Sequence, residues 1–174
     1  GFSHVYDDIG DHTISITGTF PNIYFNGGGD KDKIKKVLNL GTVGWTSFFR
    51  AFQYCYNLTE FTAGSTDTSN VTTMFAMFYQ IQGITSLDLS FDTSSVSDMG
   101  YMLGNCNAIT SIVGVEDWDI TGLNSTVSLT SFLNAGKMTT AQYDNLLIKW
   151  EAQAAGIPAM TAAFGASEYT GGGA

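Results

Sequence analysis

The two histidines are the first residues to examine for catalysis, because a Ser/His/Asp site needs one of them as its base. His4 and His12 both lie near the N-terminus. The sequence G-x-S-x-G, which exposes a nucleophilic serine in many hydrolases, occurs nowhere in the chain. A C-x-x-C pair, typical of structural zinc sites, is also missing. The sequence therefore predicts a protein that is not an enzyme and that uses no metal or other cofactor.

Carboxylates cluster in two loops and could in principle hold Ca²⁺ through several oxygens. They are Asp7, Asp8 and Asp11 in the first loop, and Glu116, Asp117 and Asp119 in the second. Neither cluster has the ligand spacing of an EF-hand. We therefore expect both to be solvated turns rather than metal sites.

The charge balance excludes several classes of partner. The net charge is −9, and only seven residues are Lys or Arg. Four of these crowd together as Lys31, Lys33, Lys35 and Lys36, so no basic stripe for nucleic acid is present.

No apolar stretch is long enough to cross a membrane, and membrane insertion is not predicted. The first residue is Gly1, which suggests a piece of a longer protein.

A repeat of about 25 residues runs through the middle of the chain. Its copies lie at residues 45–52, 71–78 and 96–103. The apolar residues of the second copy recur at i, i+3, i+4 and i+7, the spacing of one helix face. They are Val71, Met74, Phe75 and Phe78. A strand-like pattern follows, clearest at Ile84, Leu87 and Leu89, and units of this kind stack into leucine-rich-repeat solenoids.

The sequence thus predicts an α/β fold, a short leucine-rich-repeat-type solenoid of about three to four helix–strand repeats. An N-terminal β cap is predicted over residues 1–40, from strands at 13–17, 22–26 and 33–40. The solenoid is predicted over 41–137, and a C-terminal capping helix and tail over 138–174. The helix is amphipathic, with Thr139 or Thr140 as its cap. Its apolar stripe is formed by Tyr143, Leu146, Leu147 and Trp150.

Four residues recur with the repeat and need no functional explanation. Cys55 and Cys106 occupy the same position two units apart. Stacked strands are ~4.8 Å apart, so positions two units apart are separated by roughly twice that distance. This separation exceeds the ~7 Å Cα limit for a disulfide, and we therefore expect two buried free thiols. Asp67 and Asp92 are expected to be turn residues whose carboxylates accept from nearby backbone N–H groups.

The repeat residues resemble a known family. The segments D-T-S-N-V-T-T-M-F-A-M-F (67–78) and I-T-S-L-D-L-S-F-D-T-S (84–94) resemble the BspA-type leucine-rich repeats of bacterial surface proteins, DUF285-type repeats that also occur in mycoplasma lipoproteins and some phage proteins. The stretch from His4-Val5-Tyr6 to Ile16-Thr17-Gly18 is similar to the closing strands of a PKD-like β-sandwich. Residues 138–147 are similar to the segment that closes such arrays. The resemblance implies surface display, adhesion or host recognition, and no catalytic residues.

The solvent side of the predicted strand ladder is the remaining candidate site. In register it displays Glu60 and Thr62, then Ser86 and Asp88, then Ser111 and Val113. We expect an extracellular recognition module, on a cell surface or virion, that binds a host-cell glycan or protein through this face. The alternative is a structural decoration or spacer domain of a virion or surface layer, which contacts neighbouring subunits.

Overall fold

Regular secondary structure is sparse in this protein. The computed structural model describes residues 7–170, and within that range most of the chain forms turns or irregular segments. The strands are β1 (Lys36–Val37), β2 (Glu60–Phe61), β3 (Ser86–Asp88) and β4 (Ser111–Val113), and the α-helix is α1 (Thr140–Glu151). Single 3₁₀ turns lie at Lys31–Lys33 and Val115–Asp117. The described strands form two separate parallel pairs, β1 with β2 and β3 with β4.

The predicted solenoid of three to four helix–strand repeats is wrong. In residues 71–78, which were predicted to be helical, residues 75–78 form turns and residues 71–74 are irregular apart from an isolated bridge at Thr73. The N–H groups of Ala76 and Phe78 donate to the carbonyls of Gly100 and Met102 in the following unit, at 2.9 Å each. An α-helix would have bonded these groups to carbonyls four residues earlier in the same segment. The backbone therefore bonds between units instead of within a helix.

Left-handed residues explain why no helix forms in these segments. The backbone angle φ is positive at Arg50, Ala76 and Tyr101 (52°, 52° and 56°), and again four residues later at Tyr54, Gln80 and Asn105 (60°, 61° and 58°). A residue in this conformation ends a right-handed helix. Successive turns also place an apolar residue in the core at about every third or fourth position, and Val71, Met74 and Phe78 are buried in this way. The apolar spacing in the sequence therefore resembles that of a helix.

The turn segments of successive units lie side by side. N–H groups of residues 48–54 donate to carbonyls of residues 73–79, those of 74–80 to 98–104, and those of 99–103 to 128–132. Between these segments and the strands lies one apolar core that contains Phe48, Phe78 and Trp118, all fully buried. The Trp118 indole N–H donates to the Leu89 carbonyl at 2.8 Å, which satisfies its one polar group.

The predicted N-terminal β cap is also wrong for the residues described. Residues 13–17 form no strand, and Ile14 and Ile16 are 73% and 48% exposed. Where two further strands were predicted, the structure has only an isolated bridge at Asn22 and the short strand β1. Among the described residues, the alternating pattern of residues 13–17 has no neighbouring strand to pair with, and an unpaired strand is not stable alone.

The C-terminal amphipathic helix is confirmed as α1. It begins after Thr139, whose side chain accepts from the Gln142 N–H while the Gln142 side chain accepts from the Thr139 N–H. This capping box satisfies two backbone donors that a helix start would otherwise leave unpaired. Leu146 and Trp150 are buried against the core. Within residues 7–170, no helix is both long and apolar enough to cross a membrane. The boundaries proposed at residues 40 and 137 stay a prediction.

Two glutamines of the C-terminal region bond to the last strand-side segment. The Gln142 side chain accepts from the Ile112 N–H at 3.3 Å, and the Gln153 side chain accepts from the Ile120 N–H at 2.9 Å. Gln153 also donates to the Trp118 carbonyl at 2.9 Å. A side-chain amide carries a donor and an acceptor, as a peptide group does. The two side-chain amides thus bond to backbone groups of Ile112, Trp118 and Ile120, and they do so where a further repeat unit would otherwise supply the hydrogen bonds.

Candidate recognition surface

Four of the six predicted site residues lie together on the pair β3–β4. The parallel register places Ser86 beside Ser111 and Asp88 beside Val113, with all four on the outer face. Between them Leu87 points into the core and is 1% exposed. The alternation of a strand therefore produces the outer face that the sequence predicted for these residues.

Glu60 and Thr62 lie apart from the other four. Glu60 belongs to β2, which pairs with β1, and no strand pairing in the described range joins β2 to β3. Its carboxylate lies 2.8 Å from the Lys36 Nζ, and that hydrogen bond, together with the negative charge, raises the pKa of Lys36. Thr62 is exposed beside it. The predicted face is therefore divided into two patches. We call these six residues the strand face.

Part of the strand face is already bonded within the chain. The Ser111 hydroxyl accepts from the Gln142 side-chain amide at 2.9 Å. The Asp88 carboxylate accepts from both the backbone N–H and the hydroxyl of Ser90, at 3.1 and 2.7 Å. These bonds orient the two groups and leave them only part of their capacity for a ligand.

The recurring aspartates are turn residues, as predicted. Asp67 accepts from the N–H and hydroxyl of Ser69 at 3.0 and 2.7 Å, and Asp92 accepts from Ser94 at the same distances. In each case the serine hydroxyl, and then its backbone N–H, lowers the pKa of the aspartate by stabilising the charged form. Across the part of the chain that the structure describes, His, Cys, Asp and Glu side chains form no group of three able to hold a metal ion.

The remaining titratable candidates for catalysis are placed as follows. Cys55 and Cys106 are buried free thiols, as predicted, and burial raises the pKa of each to about 12. A thiol with such a pKa is almost entirely protonated at neutral pH and is a poor nucleophile. His12 lies 3.4 Å from the Asp8 carboxylate. His4 lies outside the described residues.

A row of aromatic side chains on the turn side was missed by the sequence analysis. The Tyr24 and Phe49 rings are stacked 6.1 Å apart, and the Phe49 and Phe75 rings 5.5 Å apart. Tyr101 then meets Phe75 edge-on at 5.7 Å. Tyr24, Phe49 and Phe75 recur at the repeat spacing, a signal the sequence contained, but Phe75 had been assigned to a buried helix face. We call Tyr24, Phe49, Phe75 and Tyr101 the aromatic row.

The aromatic row is partly exposed to solvent, most of all at Tyr24. Tyr24 is 54% exposed, and Phe49 and Tyr101 are each 37% exposed. A shallow cavity of about 280 Å³ lies at the Tyr24 end, and its lining residues are Asn22, Ile23, Tyr24, Ser47 and Phe49. Exposed aromatic side chains grouped in this way often mark a binding surface.

The fold and its surfaces define a class of protein built from repeated units, whose turn segments bond side by side over one apolar core. Within this class, a family model described as "Mycoplasma protein of unknown function, DUF285" matches residues 46–168. The chain belongs to this family. No curated protein and no solved structure matches it. Membership agrees with the resemblance to BspA-like surface proteins, whereas the PKD-like strands are not shown, and His4, Val5 and Tyr6 lie outside the described residues.

Proposed function

We propose that this chain is a non-enzymatic recognition or adhesion module displayed outside the cell, on a bacterial surface or a phage particle. It binds a host-cell glycan or protein through the strand face. One observation carries the proposal: polar residues such as Ser86 and Asp88 project from a backbone whose inward residues, Leu87 and Ile112, are 1% and 0% exposed. Buried inward residues of this kind hold the neighbouring exposed side chains in fixed positions, where a partner can bind them.

The chemistry of the chain supports recognition more than catalysis. Both thiols are buried with a raised pKa, and the recurring aspartates are bonded to serines of their own turns. Family membership is consistent with display on a bacterial surface. The proposal includes no cofactor, no nucleic acid and no membrane insertion.

A binding assay with face-specific variants tests the proposal. The labelled protein is applied to a glycan array and to a panel of animal and bacterial cells, and bound fluorescence is measured. The variant Thr62→Arg/Ser86→Arg places two bulky cations on the strand face and is expected to lose at least about tenfold in binding. The matched control, Val127→Arg, changes a residue that is 60% exposed on another surface and is expected to bind as the wild type does.

Two results would contradict the proposal. Equal binding by the wild type and the Thr62→Arg/Ser86→Arg variant would exclude the strand face as the contact. A correctly folded wild-type protein that binds no glycan and no cell would argue against recognition altogether. Urea unfolding of each variant ensures that lost binding does not reflect lost structure.

A structural role is the second candidate, and one observation favours it. Ile14, Ile16 and Leu38 are 73%, 48% and 56% exposed near the N-terminal end of the described chain, which would suit contact with a neighbouring subunit. Hydroxyl-radical footprinting of intact virions or surface layers separates the two roles. Protection of the strand face in the assembly favours a decoration or spacer domain, and free access to it favours recognition.

A further inference from the structure

The Tyr24 end of the aromatic row is open, whereas its middle is packed. Phe49 stacks between Tyr24 and Phe75, with ring centroids 6.1 and 5.5 Å apart, and the Arg50 guanidinium also lies over its ring at 5.1 Å. Tyr24 is the most exposed member of the row, at 54%. The end of such a stack can accept another flat molecule with less displacement of existing contacts than its middle can.

Contacts with Arg50 and Gly100 hold two rings of the row in place. The Arg50 guanidinium lies over the Phe49 ring at 5.1 Å and over the Phe75 ring at 5.8 Å. Its Nη1 donates to the Asn26 side-chain oxygen at 2.8 Å. Gly100 leaves room for Phe75, because a Cβ at that position would lie 3.3 Å from the ring. The row is therefore ordered before any ligand arrives, which reduces the entropy lost on binding.

The cavity beside Tyr24 has an uncharged lining. Two of its lining residues, Asn22 and Ser47, carry an amide and a hydroxyl, and the Ser47 hydroxyl already accepts from the Phe49 N–H at 3.1 Å. The other lining residues are Ile23, Tyr24 and Phe49. The volume of about 280 Å³ lies at the lower end of the range for small-molecule pockets and is large enough for a single ring. The net charge of −9 disfavours an anionic ligand.

Sugars combine the two properties that this cavity can bind. One face of a pyranose carries several C–H groups with a small positive charge, which are attracted to the negative face of an aromatic ring. Its rim carries hydroxyls, each a donor and an acceptor, which suit an amide and a serine hydroxyl. A peptide interface of ordinary strength would need about 800 Å² on each partner, far more than this cavity offers.

We infer that the Tyr24 end of the aromatic row, with Asn22 and Ser47, is a binding site for one uncharged sugar ring of a glycan. The inference rests only on the recognition role in the proposed function, because it names a second surface, separate from the strand face, and a narrower ligand class. Tyr24 contributes the stacking face, Asn22 and Ser47 contribute hydrogen bonds, and Arg50 positions the rings.

Affinity electrophoresis tests this inference in gels that contain mannan, galactan or glucan, with heparin as an acidic comparison. The wild type is expected to be retarded by at least one neutral polysaccharide and not by heparin. Tyr24→Ala is expected to weaken that binding roughly tenfold through the loss of one stacking contact, and Tyr24→Phe is expected to keep it. The control Tyr169→Ala removes a tyrosine that is similarly exposed, at 55%, outside the row, and should be neutral.

The strand-face variant Thr62→Arg/Ser86→Arg separates this inference from the proposed function. Retardation that survives in this variant and is lost in Tyr24→Ala supports the sugar site. Retardation that is lost in the strand-face variant and kept in Tyr24→Ala overturns the sugar site and leaves the proposed function standing. Binding of heparin alone, or equal loss in Tyr24→Ala and Tyr169→Ala, also overturns it. A wild type that binds cells but no neutral polysaccharide refutes only the sugar site, and one that binds neither refutes both.

Discussion

The turn side and the strand side of this protein are held together in different ways. On the turn side, backbone N–H groups of each segment donate to carbonyls of the next, without interruption from residue 48 to residue 132. On the strand side, the pairing stops between β2 and β3 within the described chain. Aromatic packing joins the two sides, since Phe78 stacks on Phe52 at 5.6 Å and also meets Phe61 of β2 edge-on at 4.8 Å.

This difference indicates that the turn side carries most of the regular order of the fold. Its segments combine a continuous hydrogen-bond ladder with side chains that are fully buried, such as Phe48 and Met74. The strand side combines very short strands with exposed polar residues. We therefore expect substitutions of buried residues on the turn side to affect folding, and exposed substitutions on the strand side to affect binding with little change in stability.

The largest expected effect is that of Phe78→Ala. Phe78 is fully buried and packs on Phe52 at 5.6 Å and on Phe61 at 4.8 Å, so truncation leaves a cavity in the core. We expect the free energy of unfolding to fall by about 3–5 kcal/mol, measured by urea denaturation. The strand-face control Val113→Ala should change it by less than about 0.5 kcal/mol. Similar losses in the two variants would remove the distinction between the sides.

The second effect concerns the end of the strand side, where Gln142 takes the place of a further unit. Gln142→Ala removes the bond to the Ile112 N–H, the bond to the Ser111 hydroxyl, and half of the capping box. We expect a loss of about 1–2 kcal/mol in the free energy of unfolding. Glu151→Ala, which changes an exposed residue of the same helix, should stay within about 0.5 kcal/mol. A neutral Gln142→Ala would mean that this end needs no closure by a side chain.

Sequence alone predicted the features of the fold that depend on local pattern. Helix α1, the burial of both cysteines, and the turn bonds of Asp67 and Asp92 were all predicted and are present, and the helix cap is Thr139, one of the two threonines predicted. Each follows from residues close together in the chain or from a repeat position. The helices of the repeat were predicted wrongly, because an apolar residue about every third position suits repeated turns as well as a helix.

The candidate surfaces were predicted only in part, for a similar reason. The outer positions of β3 and β4 follow from strand alternation, and the structure places Ser86 and Asp88 there. The division of the strand face depends on which strands pair, which is a long-range property. The aromatic row depends on the left-handed backbone conformation of residues such as Arg50 and Ala76. Neither residue is a glycine, so the sequence does not indicate this conformation. Glycine would have been the usual signal for such a turn.

The third effect tests the turn conformation by the sign of a stability change. Gln80 has a φ of 61°, which costs about 1–2 kcal/mol for a residue with a Cβ. Gln80→Gly removes that cost but makes the unfolded chain more flexible, so we expect a net gain of about 0.5 kcal/mol by urea denaturation. In a helix the same change would lose about 1 kcal/mol. Asn70→Gly, at an exposed position without a positive φ, should be destabilising and serves as the control.

The smallest effect concerns Asp92, which lies between β3 and the next turn segment. The Ser94 hydroxyl and N–H lower its pKa, so its contribution to stability is present above the unfolded pKa of about 4 and is lost as pH falls through the lower folded value. Because the pair is near the surface, we expect Asp92→Asn to cost less than about 1 kcal/mol at pH 6. Urea denaturation at pH 6, 4 and 2 should show that cost shrinking toward zero.

A second substitution shows whether the Ser94 hydroxyl causes this pH dependence. In a Ser94→Ala background the Asp92 carboxylate keeps only the backbone N–H, its weaker stabilising contact. Asp92→Asn should then cost less at pH 6 than it does in the wild type, and the cost should vary less with pH. An unchanged pH dependence in that background would assign the effect to other charges. It would also remove the hydroxyl contact as a reason for Asp and Ser to recur at this corner of the repeat.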